Sequence, residues 1–359
     1  MKKKILFIVP SLAVGGSQRV MLTLLENINR NLFSVSLIVV TQKGELYDQV
    51  PSDIKVVHLG CKRMLAAFNP LYQSIHKIQP DIVFSTLGYL NFTLILLKYF
   101  MASSFKLVVR ESNTVSVQIK GFSHTWLWWL LYQFLYKKAD KIICQSDYML
   151  DDLIHKFNIP KEKVSRIYNP VDTLKIRKKA DIDQSPFLDF GRGPHIIGVG
   201  RLVHQKGYEH ILNFIPKILG KFPDVHFWIL GTGELELTLK KLINELDISE
   251  HVTLVGHQKN PYTWMKHADL FVLSSHFEGL PNVLLEAITN TCAVLCLEHP
   301  GGTKEILELF GCGDRFVSNF SLDGFFDKDA KYSEEILNKY FSVEGVTRKY
   351  EQEFLGLLC

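Results

Sequence analysis

Two glutamates frame the stretch of the chain that is best equipped for chemistry, HFEGLPNVLLEA at residues 276–287. Gly279 permits unusual backbone angles and Pro281 suits a first helical turn, so the pattern predicts a loop that becomes a helix. The N–H groups of that first turn would form an anion site, for which phosphate is the usual ligand. Glu278 in the loop and Glu286 in the helix could then hold hydroxyl groups on either side of a phosphate, as a nucleotide sugar requires. The alternative is an ordinary buried helix with two surface glutamates.

A second candidate for chemistry is the segment GRLVHQKG at residues 200–207, which begins at the end of a predicted strand. Arg201 offers a planar fork for bidentate contact with a phosphate, and Lys206 offers a compact charge. Two fixed cations of this kind would neutralise a diphosphate and stabilise the negative charge that grows on it as it leaves. A solvated loop with two basic residues is the alternative.

Both segments resemble signatures of the family 4 retaining glycosyltransferases, which have the GT-B fold. Residues 276–287 resemble the motif Glu-Gly-(Leu/Phe)-Pro-X-X-(Leu/Val)-X-Glu-Ala, and residues 200–207 resemble Gly-Arg-X-X-X-X-Lys-Gly. Residues 300–305, PGGTKE, resemble the family's Pro-Gly-Gly-X-X-Glu loop. The resemblance covers nearly the whole chain and is strongest over residues 196–306.

The resemblance implies a nucleotide-sugar site in which Glu278 holds hydroxyls of the transferred sugar and Glu286 holds the ribose. It implies catalytic roles for Arg201, Lys206 and Glu278. It implies no metal and no other cofactor, because the two cations and the helix start can supply the positive field. The expected donor-binding residues are Gly15, Gly16, Arg201, Lys206, His257, Gln258, Glu278, Gly279, Leu280, Pro281, Asn282, Val283 and Glu286.

The first half of the chain carries two weaker candidates. Gly15 and Gly16 follow a predicted strand, but their spacing is not that of the dinucleotide fingerprint. The resemblance implies that this turn lets the backbone approach the donor phosphate or the acceptor; a plain tight turn is the alternative. Arg110, Glu111 and Asn113 follow another predicted strand, where open α/β sheets bind ligands, so we expect them to contact the acceptor. A surface Arg–Glu pair is the alternative, and the histidine that many family members have near this place is not evident.

Alternating apolar strands and helical patterns predict an α/β protein with Rossmann-like, doubly wound domains. The resemblance implies two such domains that face each other across a cleft, as in GT-B. We expect an acceptor-binding domain over residues 1–172, a linker over 173–194 and a nucleotide-sugar domain over 195–341. A final helix at about 342–359 is expected to cross back to the first domain. The predicted strands are 4–9, 35–40, 54–58, 81–85, 105–110, 141–145, 196–200, 226–231, 252–256, 269–274 and 292–297, with helices in the first half around 62–79, 90–100 and 123–138.

The segment 124–138 is apolar nearly all round, which favours a buried helix. Its tryptophans and tyrosines, followed by Lys137 and Lys138, are also typical of a helix at a membrane interface. Residues 1–170 contain 21 Lys and Arg against 11 Asp and Glu, whereas the remaining residues contain 20 against 26. This surplus of positive charge favours contact between the first half and an anionic membrane.

The totals place further bounds on the protein. A length of 359 residues favours about two domains. The six cysteines form no Cys-x-x-Cys pair, so we expect reduced thiols in a cytosolic protein. We expect no secretion signal and no membrane-spanning helix. The 13 histidines show no metal-ligand spacing and are interpreted as ordinary surface or core residues.

The resemblance implies a retaining, metal-independent glycosyltransferase. We expect it to move a hexose or N-acetylhexosamine from a nucleotide diphosphate sugar, with UDP favoured by family frequency, to a lipid-linked saccharide such as a polyprenyl-diphosphate acceptor. The expected process is assembly of O-antigen, lipopolysaccharide, capsule or another surface glycan at the inner face of the cytoplasmic membrane. A soluble sugar or protein acceptor, and a non-catalytic nucleotide-sugar-binding protein, are the alternatives. No nucleic-acid recognition motif appears.

Overall fold

The chain forms two compact units, each built around its own parallel sheet. The computed structural model describes residues 2–41, 44–101, 105–188, 190, 193–321 and 332–359, with the side chain of Leu65 not described. The first unit consists of Met1–Pro170 together with Tyr340–Cys359, and the second of Val171–Lys339. The chain therefore passes between the units twice.

The sheet of the first unit has seven strands, and most are runs of apolar residues, as strands buried on both faces must be. They are β1 Lys3–Val9, β2 Phe33–Val39, β3 Lys55–His58, β4 Ile82–Thr86, β5 Lys106–Arg110, β6 Lys141–Cys144 and β7 Val164–Arg166. Their spatial order is β3-β2-β1-β4-β5-β6-β7, with every pair parallel. The order reverses between β1 and β4, which makes this a doubly wound sheet.

Helices cover both faces of this sheet. The α-helices are α1 Gly16–Asn27, α2 Phe68–Ile78, α3 Gly88–Phe100, α4 Val115–Gln118, α5 Thr125–Leu130 and α6 Asp147–Asp151. The π-helical segments Leu131–Leu135 and Asp152–Lys156 continue α5 and α6. Short 3-10 helices lie at Tyr47–Gln49, Met64–Ala67, Ile119–Gly121, Tyr136–Lys138 and Lys161–Lys163.

The second unit repeats this plan with six strands. They are β8 His195–Val199, β9 His226–Leu230, β10 Val252–Gly256, β11 Leu270–Leu273, β12 Val294–Leu297 and β13 Phe316–Val317, in the order β10-β9-β8-β11-β12-β13. The α-helices are α7 Thr173–Ala180, α8 Tyr208–Leu219, α9 Glu236–Glu245, α10 Pro261–His267, α11 Asn282–Thr289, α12 Thr303–Leu309 and α13 Glu334–Ile336. The 3-10 helices are His204–Lys206, Ser249–His251 and Gly313–Arg315. A π-helical segment, Leu337–Phe341, follows α13.

The chain between residues 173 and 194, expected as a linker, is structured over its first part. Asp172 caps α7 by accepting a hydrogen bond from the N–H of Lys175 at 2.9 Å. Asn260 donates to the carbonyl of Lys179 at 2.9 Å, which ties α7 to the start of α10. These residues therefore belong to the second unit, while Asp189, Gly191 and Arg192 of the expected linker lie outside the described residues.

The last helix of the chain, α14 Val343–Gly356, packs in the first unit. Its buried side chains Val346, Tyr350 and Phe354 join those of α1 on one face of the sheet, while α2 and α3 cover the other face. Strand residues alternate between these faces, because successive side chains of a strand point to opposite sides. The predicted α/β fold with two Rossmann-like, doubly wound domains is confirmed.

Candidate active site

The two loops that carry the strongest sequence motifs follow neighbouring strands of the second unit. β8 pairs in parallel with β11, and the strand order of the sheet reverses between them. Loops at such a reversal diverge beyond the carboxyl ends of the strands and leave a crevice where α/β proteins bind ligands. Arg201 follows β8 at an exposed position, and Glu278 follows β11 at a buried one.

Lys206 and Glu278 form an ion pair at this crevice. The Nζ atom of Lys206 lies 2.6 Å from Oε1 of Glu278. The side chain of Lys206 is 15% exposed and that of Glu278 is 7% exposed. Because little water reaches the two groups, each charge is compensated mainly by the other. Ser275 donates its hydroxyl to the same carboxylate oxygen at 2.7 Å.

Gln205 and His276 hold the two loops against each other. The backbone N–H of His276 donates to the carbonyl of Gln205 at 2.8 Å. The Gln205 side-chain amide donates to the Phe277 carbonyl at 3.1 Å and to Oε2 of Glu278 at 3.4 Å. Gly207 has a φ of +56°, and a Cβ there would lie 2.2 Å from the carbonyl oxygen of Ser274. The Lys-Gly part of the motif is therefore required by close packing as well as by charge.

A third loop, after β12, supports Glu278 from the other side. The N–H of Glu278 donates to the carbonyl of Pro300 at 3.0 Å, and that of Gly302 donates to the carbonyl of Gly279 at 2.7 Å. Gly301 has a φ of +134°, and a Cβ there would lie 2.2 Å from the Glu278 carbonyl oxygen. The Pro-Gly-Gly loop thus fixes the backbone of Glu278.

The helix after Glu278 begins one residue later than the sequence suggests. Pro281 is the N-cap of α11, not part of its first turn, and its carbonyl accepts the N–H of Leu284 at 3.1 Å. Asn282 and Val283 are the first helical residues, and both are half-buried. Glu286 lies in the second turn and is half-buried. Gly279 and Leu280, also expected to bind the donor, are buried in the loop between Glu278 and the helix.

The remaining predicted donor residues are spread over both units. His257 is exposed and Gln258 is half-buried directly after β10, where the Gln258 side chain donates to the carbonyl of Val255 at 3.3 Å. Gly15 and Gly16 lie in the first unit, where Gly15 caps α1 and accepts the N–H of Arg19 at 3.0 Å.

His299 is a buried residue of the site that sequence reasoning did not single out. Its Nδ1 lies 2.7 Å from the Leu297 carbonyl oxygen and its Nε2 lies 2.7 Å from the Thr303 hydroxyl. Burial lowers the pKa of His299 although the nearby charge of Glu278 opposes this shift. A neutral imidazole therefore ties the Pro-Gly-Gly loop to α12. Ser275 and Gln205 were also missed, and only their places beside the two motifs could have drawn attention to them.

In the first unit, two of the three expected acceptor-binding residues are buried. The Arg110 guanidinium is 1% exposed and donates to Asn169 Oδ1 at 2.6 Å and to the Thr86 hydroxyl at 3.3 Å. Glu111 is also 1% exposed, whereas Asn113 is half-buried. The alternative of a surface Arg–Glu pair is wrong, because both side chains lie inside the unit.

Glu111 is surrounded by neutral hydrogen-bond donors. Its Oε1 accepts bonds from the hydroxyl of Tyr136, from the hydroxyl of Tyr132 at 3.4 Å and from the amide of Asn91 at 3.4 Å. Burial raises the pKa of Glu111 to about 7, against the opposing effects of these donors and of the Arg110 charge. The carboxyl therefore changes its protonation near neutral pH.

The segment 124–138 is partly core and partly surface. Tyr132 and Tyr136 are buried and pack on Phe92 of α3 with ring centroids 4.8 and 5.2 Å away. Trp126 and Phe134 are 65% and 63% exposed, and Leu127 and Leu130 are also exposed. Among the described residues, no helix is both long and apolar enough to cross a bilayer.

Two family models match the chain. The family model "Glycosyltransferase Family 4" matches residues 14–175, and "Glycosyl transferases group 1" matches residues 181–325. The N-acetylgalactosamine-N,N'-diacetylbacillosaminyl-diphospho-undecaprenol 4-alpha-N-acetylgalactosaminyltransferase of Campylobacter jejuni is 32% identical over 318 residues, which cover 85% of this chain and 83% of that protein. The Vi polysaccharide biosynthesis protein VipC/TviE of Salmonella typhi is 31% identical over 163 residues, which cover 44% of this chain and 27% of that protein.

The fold has a solved counterpart along its whole length. The crystal structure of Anabaena Alr3699/HepE in complex with UDP covers 99% of this chain and 100% of its own, with a TM-score of 0.76 and 18% identity. At this identity the similarity concerns the fold alone. The two family models and the Campylobacter relative show the family, and they agree with the resemblance drawn from the motifs. The chain belongs to the family 4 glycosyltransferases.

Proposed function

We propose that this glycosyltransferase moves a hexose or N-acetylhexosamine from a UDP-linked donor to a lipid-linked saccharide, with retention at the anomeric carbon. The observation that carries the proposal is the buried Lys206–Glu278 pair, held by three loops at the point where the strand order of the second sheet reverses. A family 4 donor site needs a cation for the diphosphate and a carboxylate for sugar hydroxyls, and this pair supplies both.

Each charged group has a distinct proposed role. Lys206 and the exposed Arg201 neutralise the donor diphosphate and the charge that develops on it as the glycosidic bond breaks. The start of α11 adds N–H groups that favour an anion. Glu278 binds hydroxyls of the transferred sugar, and Glu286 binds the ribose. His257 and Gln258 hold the base. The leaving phosphate accepts the proton of the acceptor hydroxyl, and no metal ion takes part.

The identity of the substrates rests on relatives. Anabaena Alr3699/HepE was crystallised with UDP, which supports a uridine nucleotide as leaving group. The name of the Campylobacter relative describes transfer to a sugar linked through a diphosphate to undecaprenol, and the Salmonella relative is named for polysaccharide biosynthesis. We therefore place the protein in the assembly of a surface glycan such as O-antigen, lipopolysaccharide or capsule.

A membrane-facing surface on the first unit suits a lipid-linked acceptor. Trp126, Leu130 and Phe134 recur every four residues, so they line one side of α5 and its π-helical continuation, and all three are exposed. Lys138 follows four residues later and is exposed as well. Aromatic side chains with a flanking lysine suit the boundary of an anionic bilayer, where each lysine contributes about 1 kcal/mol. We place the enzyme at the inner face of the cytoplasmic membrane.

Transfer is tested with purified full-length protein, a panel of UDP-, GDP- and ADP-sugars, and two acceptor classes, polyprenyl-diphosphate saccharides and free sugars. We expect a UDP-sugar to raise the melting temperature by mass action and to be consumed with the lipid-linked acceptor, in the presence of EDTA. The anomeric configuration of the product is determined by NMR. Donor binding without transfer to any acceptor would instead support the non-catalytic alternative, and an inverted product would contradict the proposed mechanism.

Membrane contact is tested separately by sedimentation with liposomes that contain anionic phospholipid. We expect the wild type to sediment at low salt, and a Trp126→Ser, Phe134→Ser double variant to remain in solution. The matched control is Leu174→Ser, Leu188→Ser, which removes two exposed apolar side chains of the second unit. Equal sedimentation of both double variants would contradict the role of this surface.

A further inference from the structure

Three histidines from two distant segments of the sequence lie together at the loop of Glu278. His276 follows β11 in that loop, His210 lies in the first turn of α8, and His204 lies in the short helix before it. With Glu209 they form a polar cluster on the second unit. One ligand atom from each of Glu209, His210 and His276 lies within 4.8 Å of the others.

The ring of His276 is oriented by a carboxylate. Its Nε2 lies 2.6 Å from Oε1 of Glu209, and because an ionised carboxylate only accepts hydrogen bonds, this nitrogen carries the proton. In the neutral ring the other nitrogen, Nδ1, then holds a lone pair, and it lies 3.4 Å from Nε2 of His210. A carboxylate that binds one nitrogen of a histidine while the other nitrogen faces a metal is the usual arrangement around metal-bound histidines.

The distance between the two nitrogens fits one edge of a tetrahedral site. Bonds of about 2.0–2.1 Å from Zn²⁺ to nitrogen place two tetrahedral ligands about 3.3 Å apart. The 3.4 Å between His276 Nδ1 and His210 Nε2 therefore needs little adjustment. His204 stacks on the face of His276, with centroids 4.4 Å apart and planes 11° from parallel, so it restrains the ring and does not compete for Nδ1.

We propose that His210 and His276 bind a transition-metal ion of the zinc class, with Glu209 orienting His276 and water completing the coordination. Imidazole nitrogens suit Zn²⁺, Ni²⁺ and Cu²⁺, whereas Mg²⁺ prefers oxygen ligands. The side chains of His276 and Glu209 are 28% and 35% exposed, and His210 is exposed, so an ion reaches the site from solvent.

An ion at this position would connect two segments of the second unit. His276 is two residues from Glu278, and its backbone is bonded to Gln205 beside Lys206. An ion shared by His276 and His210 joins the first turn of α8 to the loop that carries Glu278. This role is separate from the transfer reaction, for which we propose no metal.

The test is a calorimetric titration of Zn²⁺ into the full-length protein prepared without a polyhistidine tag. Cys359 is an exposed thiol, and thiolates are zinc ligands, so every protein carries Cys359→Ser. We expect one saturable site in this parent protein and none for Mg²⁺. His210→Asn and His276→Asn should each weaken binding at least tenfold, and Glu209→Gln about 10- to 100-fold, since it removes only the orienting carboxylate.

The matched control is His124→Asn, which removes an exposed histidine of the first unit and should titrate like the parent. Circular dichroism of each variant establishes that it is folded. Saturable binding that survives both His210→Asn and His276→Asn, or a parent that shows no saturable binding up to millimolar zinc, would overturn the proposal. No sugar donor is present, so the outcome is independent of the proposed transferase reaction.

Discussion

Each unit buries one glutamate just beyond a strand in the interior of its sheet, and the two glutamates have opposite surroundings. Glu111 follows β5 and is 1% exposed, and Glu278 follows β11 and is 6% exposed. The Glu278 carboxylate lies 2.6 Å from the ammonium of Lys206. In the part of the chain that the structure describes, the hydrogen-bond partners of the Glu111 carboxyl group are neutral: two tyrosine hydroxyls and an asparagine amide.

This difference shows that a glutamate just beyond an interior strand of a doubly wound sheet is not always paired with a cation. The cation beside Glu278 offsets its charge in a place from which water is largely excluded. The environment of Glu111 raises its pKa to about 7, because burial outweighs the donors and the Arg110 charge. Glu278 is therefore held as one half of an ion pair, whereas Glu111 suits the uncharged packing of α3 against the segment after α5.

The largest effect is expected when Lys206, the cation paired with Glu278, is replaced by an uncharged residue. In Lys206→Met the Glu278 carboxylate stays buried without its ion-pair partner, so we expect the free energy of unfolding to fall by about 3–5 kcal/mol. We also expect transfer to fall by about 100- to 1,000-fold, as when one transition-state donor is lost. Urea denaturation and donor turnover measure the two losses.

A double variant separates these two roles of Lys206. Lys206→Met with Glu278→Gln should recover most of the stability, because no buried charge remains, but none of the transfer. The control Lys240→Met removes an exposed partner of Glu236 and should change stability by about 0.5 kcal/mol or less. If the double variant is no more stable than Lys206→Met, the difference drawn between the two glutamates is wrong.

The next effect concerns the pH dependence contributed by Glu111. Its pKa is raised from 4.5 to about 7 in the folded protein, so between these values the folded state holds a proton that the unfolded state releases. The contribution to stability is present below about pH 4.5 and is lost as the pH rises to about 7, by on the order of 3 kcal/mol.

Glu111→Gln should remove this loss, so the difference in unfolding free energy between pH 5 and pH 8 becomes smaller than in the wild type. Denaturant titrations at both values measure it. Glu236→Gln, at an exposed glutamate, is the control and should keep the wild-type difference. An unchanged difference in Glu111→Gln would show that the buried carboxyl does not titrate in this range.

A third comparison uses the glycine beside each glutamate. In Gly301→Ala the new Cβ meets the Glu278 carbonyl oxygen at 2.2 Å with φ at +134°, so backbone must move, and we expect a loss of about 3 kcal/mol. In Gly88→Ala the Cβ meets the hydroxyl of Tyr132 at 2.5 Å, a side-chain atom that can shift, so we expect about 1 kcal/mol. Thermal unfolding ranks the pair, and an equal loss in both variants would contradict the rigidity assigned to the Pro-Gly-Gly loop.

The smallest effect is expected for the tyrosine donors. Tyr136→Phe removes a hydroxyl that donates to Glu111 and accepts from Asn91 at 2.7 Å, so we expect a loss of about 1 kcal/mol. The pKa of Glu111 should rise further, because the Tyr136 bond lowers it. Tyr132→Phe removes only the weaker 3.4 Å bond and should have less effect. NMR titration of the Glu111 carboxyl measures both shifts.

Most of the fold was predictable because its strands are apolar runs long enough to recognise. β7 and β13 were not predicted, since the residues VSR and FV carry too little apolar pattern to identify a strand. Arg201, Lys206 and Glu278 could be proposed as site residues because their motifs are local. The partners of Glu278 on other loops, and the burial of Arg110 and Glu111, depend on contacts between distant segments that spacing along the chain does not reveal.

The histidine cluster illustrates the same limit. His210 and His276 are 66 residues apart, and only the pairing of β8 with β11 brings their loops together. Sequence spacing detects ligands that share one helix or one turn. Ligands assembled by the sheet become visible only when the strand order is known.

The placement of α14 also affects how the protein folds while it is being synthesised. Val346, Tyr350 and Phe354 complete the apolar interior of the first unit, yet they are translated after every residue of the second. The nascent amino-terminal half therefore carries an uncovered apolar face, beside α1, throughout translation of the second unit. Such a face favours aggregation or chaperone binding until α14 has been translated, so the first unit completes its core only after the second unit has been synthesised.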